Sequence, residues 1–418
     1  MNNELKRILF LSGIDFKEKS IQVIRKTPEA YAAAGWNVDY VVARDNNPKG
    51  NYFYETAINP EGVNVIRTFW SFPTLRAELP RLSWLLISKF ASFIVVVKLA
   101  IIGAKQLEMH NYDIIYGYEL QGVLAMNLLR LFGLTKKKKT ISRFQGTFLN
   151  EMFEQKQYAR LFFNLDLILA MRLNSDLLIM TNDGTQGDKA LARIKGRKKY
   201  DSVFWVNGVD LVDLLDVNTA EIDSLRRKYS LEGSHVFLSV SRLVRWKRVE
   251  KGLMIVSELK KKGFTNFKYL IVGDGDSKPY LQEQVKVQGL QGNVVFVGSI
   301  QNNYVKNYFA VADFFISTYD SSNVGNPLLE AIRSHKVIVT LNNGDTAKWI
   351  NHGINGLIYN PNESFYEKAA SDILNLIHDK VSYEEMLKQV EKIEKNKLWT
   401  WDERLKAEID RVESILCQ

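Results

Sequence analysis

Phe314-Phe315-Ile316-Ser317-Thr318 runs into Tyr319-Asp320-Ser321-Ser322-Asn323-Val324-Gly325-Asn326-Pro327-Leu328-Leu329-Glu330-Ala331. The first five residues form an apolar run too short for a helix and bounded by turn residues, which predicts a buried strand. A polar loop follows, and Pro327 suits the first turn of a helix, where its missing N–H costs nothing. A strand feeding a helix through a polar loop is half of a βαβ unit, and the flanking sequence repeats it. Strands are predicted at Val236–Val240, Tyr269–Val272, Val294–Val297 and Val337–Leu341. Turn residues close them: Ser241, Gly273-Asp274-Gly275, Gly298 and Asn342-Asn343-Gly344. Toward the N-terminus the rhythm continues at Ile8–Ser12, Val38–Val42, Val63–Arg67, Asp113–Tyr116, Thr140–Phe144, Leu177–Thr181 and Val203–Val206. Helical stretches fall between most of these strands, and such alternation predicts α/β architecture with parallel sheets.

The 418 residues have room for two or three domains. Two α/β blocks fit best: residues 1–210, and residues 211–396 after Asn207-Gly208-Val209-Asp210 and a polar stretch leading to Leu231-Glu232-Gly233. The charged tail from Ser382 has no strand to follow, so a helix over 397–418 is expected to return to the first domain. Hydrophobic residues are 46% and charged residues 25%, which excludes a disordered or fibrous chain. A single cysteine, Cys417, rules out an intrachain disulfide or a cysteine-based zinc site. The scarcity of cysteine makes a reducing cytoplasm the expected location, and Met1–Lys6, leading straight into a strand-like run, reads as no signal peptide.

The net charge is +9. Basic runs at Lys136–Lys139 and Arg193–Lys199 lack interleaved aromatics or a recognisable nucleic-acid module, so nucleic acid is not the expected partner. They read instead as solvated faces, or as a surface drawn to anionic lipid or to a lipid-linked diphosphate acceptor. Leu82–Leu107 is apolar but interrupted by Lys89 and Lys98, and no unbroken run reaches the roughly 18 residues of a spanning helix. It reads as a buried helix, or as one lying in a bilayer interface with Trp84, Phe90 and Phe93 inserted.

In open α/β sheets ligands bind beyond the carboxyl ends of the strands, so the turns there carry the chemistry. Ser241-Arg242-Leu243-Val244-Arg245-Trp246-Lys247-Arg248 places four cations at a strand end where a helix begins. Fixed positive charge there can stabilise a diphosphate leaving group. Gly273 and Gly275 permit a tight turn and close approach of a ligand, while Asp274 and Asp276 read as turn or capping residues. Glu330, one turn into its helix, is a carboxylate suited to sugar hydroxyls. A dehydrogenase reading of Gly273-x-Gly275 fails, because no third glycine of the dinucleotide fingerprint follows.

These turns, with Val295-Phe296-Val297-Gly298, Ala312-Asp313, Gly325–Ala331 and Asn355-Gly356-Leu357, resemble in order and spacing the retaining glycosyltransferases of family 4. The resemblance implies the GT-B fold: two Rossmann-like doubly wound domains facing a cleft, acceptor held by the first and nucleotide-sugar donor by the second. It implies that Arg242 and Lys247 hold the donor diphosphate and that Glu330 contacts the ribose. Gly273 and Gly298 would border the nucleotide, and Gly325, Asn326, Pro327 and Leu328 would lie along the diphosphate and sugar.

Two positions depart from the family pattern. Ser322 stands where a first glutamate often touches the donor sugar, leaving Asp320 as the nearby carboxylate. Gln145 stands where a histidine often follows the strand at Thr140–Phe144, and glutamine cannot relay a proton. In a front-face retaining reaction the departing phosphate can accept the acceptor's proton itself, so the loss is tolerable. Gly13, with the loop Ile14–Ser20, and Tyr118 and Glu119 sit at first-domain strand ends and are candidate acceptor contacts. Asn182-Asp183-Gly184-Thr185 reads as a helix cap.

The expectation is a metal-independent hexosyltransferase without cofactor, using a UDP-sugar in preference to GDP-mannose. The acceptor would be a saccharide or lipid-linked hydroxyl in polysaccharide or glycolipid synthesis at an anionic membrane face. The alternative is a non-catalytic sugar-nucleotide-binding partner of an active transferase.

Overall fold

A computed structural model describes residues 5–16, 22–47, 56–71, 80–196, 200–210, 218–321, 323–362 and 364–417. Ser322, the far part of the Ile14–Ser20 loop and the end of the Arg193–Lys199 run lie outside them. The chain divides into two compact units: residues 1–182, 187–205 and 401–418 form one, and residues 183–186 and 206–400 form the other.

The first unit runs β1 (Arg7–Ser12), α1 (Gln22–Ala33), β2 (Asn37–Asp45), β3 (Val63–Trp70), α2 (Arg81–Met109), β4 (Ile114–Tyr118) and α3 (Glu119–Leu131). It continues with β5 (Lys139–Phe144), α4 (Leu149–Glu154), α5 (Tyr158–Phe163), α6 (Leu165–Arg172), β6 (Leu177–Thr181), α7 (Gly187–Lys195) and β7 (Ser202–Trp205). Its seven strands pair in the order β3-β2-β1-β4-β5-β6-β7, every pair parallel. Both faces are covered, so Ile8–Leu11 of β1 are all apolar rather than alternating. Ile8 and Phe10 pack to one side with Tyr40 and Tyr116. Leu9 and Leu11 pack to the other, against Val95 and Leu99 of α2 and Met126 of α3.

The second unit runs α8 (Thr219–Tyr229), β8 (His235–Val240), α9 (Val249–Lys261), β9 (Phe267–Val272), α10 (Lys278–Val287), β10 (Val294–Gly298) and α11 (Asn302–Val311). Then come β11 (Phe314–Ser317), α12 (Asn326–Arg333), β12 (Val337–Leu341), β13 (Leu357–Tyr359), α13 (Tyr366–His378) and α14 (Lys380–Lys397). The order β10-β9-β8-β11-β12-β13 is again wholly parallel. In both sheets the strand order reverses beside the first strand, at β1/β4 and β8/β11, and such switch points open a crevice for ligands. Every predicted strand is present. β13 is additional: three residues make too short a run to be read as a strand. Helix α8 fills part of the polar stretch at the expected domain boundary, its ladder started by Asn218, whose side chain accepts from the Ala220 N–H.

The last helix, α15 (Trp401–Leu416), belongs to the first unit. It inserts a charged pair into that core. Arg404 Nη1 lies 2.8 Å from Glu408 Oε2, both side chains about 1% exposed. Tyr116 of β4 donates to Glu408 Oε1 at 2.6 Å. Burial pushes the Glu408 carboxyl up, but Arg404 and Arg143 outweigh it and hold it below the usual carboxylate value.

Helix α2 corrects the reading of Leu82–Leu107 as too interrupted to span. Leu82–Met109 is long and apolar enough to cross a membrane by length and composition. Only 28% of its most apolar window is buried. Yet Val95, Val96, Leu99 and Ala100 pack into the sheet's core, so the helix is an integral layer of this unit. A fully buried helix is equally excluded: Leu86, Phe90 and Phe93 are each more than half exposed.

Candidate functional site

In the second unit the turn after β8 is built by backbone crowding. The Ser241 N–H donates to the Val272 carbonyl and the Leu243 N–H to the Asp274 carbonyl. Gly273 has φ +133°, and a Cβ there would sit 1.8 Å from the Ser241 carbonyl oxygen. The glycine therefore serves close approach of the chain's own Arg242 loop. Asp274 accepts from the Gly275 N–H at 2.8 Å and from Lys278 Nζ at 2.8 Å, which makes it a turn residue.

A short 3-10 turn, Arg245–Lys247, then presents the lysine. Lys247 Nζ lies 3.6 Å from the Tyr319 ring centre and 4.1 Å from that of Trp246. Ring faces attract a cation and hold it without neutralising it. Burial, then the neighbouring Arg242 charge, lower the Lys247 ammonium to about 7, with Asp183 opposing. Arg242 is exposed beside it. Of the other two cations of the run, Arg248 is held by Glu250 at 2.7 Å and by Asp320 at 3.6 Å. Asp320 also lies 3.6 Å from Lys251, so this candidate carboxylate is already engaged by two cations.

Two asparagines outside the expected set fix the loop after β11. Asn323 donates to the Tyr319 carbonyl at 3.0 Å, and Asn343 donates to the same carbonyl at 2.7 Å and to that of Asp320 at 3.1 Å. Gly325 then caps α12, and Asn326 Oδ1 accepts from Asn207 Nδ2 at 2.8 Å. Pro327 stands in the first turn. Leu328 is 1% exposed and packs in the core, so its side chain is not a donor contact. Periodicity explains this: positions 328, 329, 331 and 332 form the buried stripe, while Glu330 falls on the other side. Burial first, then Asp210, push the Glu330 carboxyl up to about 7. Gly298 has φ +86°, open space where a Cβ would stand, and a carbonyl that accepts from the Gly273 N–H.

Residues 183–186 follow β6 in sequence but belong to this second unit. The Val324 N–H donates to the Asp183 carbonyl and the Asp345 N–H to the Gly184 carbonyl. A Cβ on Gly344 would lie 1.9 Å from that same Gly184 carbonyl. The segment is thus a brace for the loops around α12, a role beyond the helix cap read from sequence. Its signal is the glycine pair, visible in sequence but without an indicated partner.

In the first unit the candidates divide. Tyr118 is 1% exposed, and burial pushes its phenol well above the ordinary range. It ends β4 as a core residue, which corrects its reading as an acceptor contact. Glu119 has φ +57° and its carboxylate accepts from the Gln145 N–H at 2.6 Å. Glu119 therefore positions the Gln145 backbone. Gly13 is half-buried, and a Cβ there would meet the Gln121 side chain at 3.0 Å. Arg143, two residues before Gln145, is fully buried and donates to Thr181 at 2.9 Å.

Residues 221–396 match the family model for glycosyl transferases group 1. This segment is a glycosyl transferases group 1 domain. The domain contains Arg242, Lys247 and Glu330 and lies wholly within the second unit. Among curated relatives, the chain is 26% identical over 138 residues to a 2-deoxystreptamine N-acetyl-D-glucosaminyltransferase of Niallia circulans, covering 33% of this chain and 35% of the relative. It is 27% identical over 145 residues to an alpha-monoglucosyldiacylglycerol synthase of Streptococcus pneumoniae, covering 34% and 33%. These alignments span about a third of each relative's length. A crystal structure of HepE from Anabaena in complex with UDP aligns over 98% of this chain and 99% of that one, with TM-score 0.68 and 17% identity. The likeness extends through both units and the group 1 domain alike, and the fold is GT-B.

Proposed function

We propose that the protein is a retaining glycosyltransferase that moves a hexose-type sugar from a UDP-sugar to a saccharide or lipid-linked hydroxyl. One observation carries the reading: within the group 1 domain, Arg242, Lys247 and Glu330 combine two cations at the end of β8 with a carboxylate one turn into α12. The cations hold the donor diphosphate, and Glu330 accepts from a ribose hydroxyl. As the bond from the anomeric carbon to the phosphate oxygen breaks, the two cations stabilise the charge left on the diphosphate. The acceptor oxygen bonds to the same face of the carbon, and its proton passes to the departing phosphate. No base from the protein is needed, which accommodates Gln145.

The HepE complex with UDP supports uridine over guanosine as the base. The lipid product in the name of the Streptococcus pneumoniae relative supports a lipid-linked acceptor and a peripheral place at a membrane. Donor turnover tests the reading. UDP-glucose should be consumed faster than GDP-mannose, and EDTA should leave the rate unchanged. Tight UDP binding without turnover of any sugar nucleotide would instead favour a non-catalytic binding partner, and loss of activity in EDTA restored by magnesium would overturn metal independence.

A further inference from the structure

The flank of the first unit carries an apolar trough that none of the strand-end turns lines. A cavity of about 1000 Å³ opens between the outward side of α2, the floor of α3 and the α5–α6 pair. Leu86 and Phe93 on one wall and Phe162, Leu165 and Leu169 on the other are each at least half exposed. A second cavity of about 430 Å³ adjoins it, sharing Phe163.

Five polar side chains of the lining, Lys89, Asp166, Ser92, Asn127 and Arg130, are engaged within the unit. Lys89 Nζ lies 2.7 Å from both oxygens of Asp166. Ser92 accepts from Gln121 at 3.0 Å, Asn127 donates to the Val123 carbonyl at 2.8 Å, and Arg130 donates to the Asn174 carbonyl at 2.5 Å. A peptide brought here would need partners for its backbone N–H and C=O groups, and a sugar would need them for its hydroxyls. An alkyl chain needs none.

Charge selects the kind of chain. Residues 81–174 hold 13 Lys and Arg against 6 Asp and Glu, so 13 − 6 = +7 of the whole +9 falls in this segment. Lys136 and Lys137 follow directly on the exposed Leu131, Phe132 and Leu134 at the end of α3. Apolar side chains next to cations match a lipid whose headgroup is negative.

We infer that this trough takes an acyl chain of an anionic bilayer lipid, with the headgroup held by Lys136 and Lys137 beyond the end of α3. The site goes beyond the proposed transfer reaction, and its failure would leave donor binding and turnover untouched. The test uses the full chain and vesicles of phosphatidylcholine with or without phosphatidylglycerol. The chain should float with the anionic vesicles only, and native mass spectrometry afterwards should show phosphatidylglycerol bound. The double variant Phe93→Ser/Phe162→Ser changes two exposed positions, so folding should persist, checked by an unchanged thermal shift with UDP. It should lose vesicle and lipid binding by about tenfold or more, as expected when apolar contact supplies part of the affinity. Undiminished binding by the double variant would overturn the site, as would lipid bound equally from neutral vesicles. Finding that the wild-type chain self-associates through this face and the variant does not would also overturn it, because a second copy would then be the occupant.

Discussion

The two units share one plan, a parallel sheet whose order reverses beside its first strand, yet they use the strand ends differently. In the second unit the turns after β8 and β11 keep functional groups poised near neutrality: Lys247 lowered to about 7 and Glu330 raised to about 7. In the first unit the corresponding positions are largely spent on structure. Tyr118 is core, Glu119 holds the Gln145 backbone, and the charged residues nearest them are buried with α15. Burial perturbs titration in both places, but only in the second unit do the perturbed groups lie on the turns that the donor reading requires.

This contrast predicts separable effects. The largest should follow Glu408→Ala, which leaves Arg143 and Arg404 buried without their carboxylate. Breaking such a buried pair costs about 3–5 kcal/mol, read as a lower denaturant midpoint. UDP affinity, measured below that midpoint, should hold; its loss would show that the units do not act separately. Next is Gly273→Ala. The added Cβ must displace the Ser241 carbonyl and with it the Arg242 loop, so UDP affinity should fall by about tenfold or more, as when a fixed charge is misplaced.

A smaller and more diagnostic effect is expected in pH. On the proposed reading donor affinity needs Lys247 charged, which fails as pH rises through about 7. It also needs Glu330 ionised, which fails as pH falls through about 7. Calorimetric titrations across pH should therefore trace a narrow bell. Lys247→Arg should flatten its alkaline side and Glu330→Gln its acid side. An unchanged alkaline fall in Lys247→Arg would assign that limb elsewhere. Smallest of all, Tyr118→Phe should leave acceptor turnover within about twofold, since a core phenol does not meet substrate. A greater loss would return Tyr118 to the acceptor site.

The sequence makes the strand-and-turn grammar plain, because parallel strands buried on both faces read as unbroken apolar runs. It also marks the cations at 242 and 247 and the carboxylate at 330, since strand-end position is a local property. What it hides depends on long-range contact. Gly273 is visible as a glycine, but not that its neighbour is the Ser241 carbonyl. Asp183–Gln186 follows a first-unit strand and gives no hint of belonging with Val324 and Gly344. Tyr118 looks alike in sequence to a residue lining a turn, and only packing shows its side chain turned inward. The composition of α2 cannot by itself tell a helix packed on one side from one packed on all.

The most direct measurement is calorimetric titration of the full chain and its Lys247→Ala variant with UDP at a pH just below 7. The second-unit assignment predicts that wild type binds UDP and that the variant binds about a hundredfold more weakly, roughly 2.7 kcal/mol, while keeping the same denaturant midpoint within error. UDP binding by the variant within about threefold of wild type, less than about 1 kcal/mol, would contradict it.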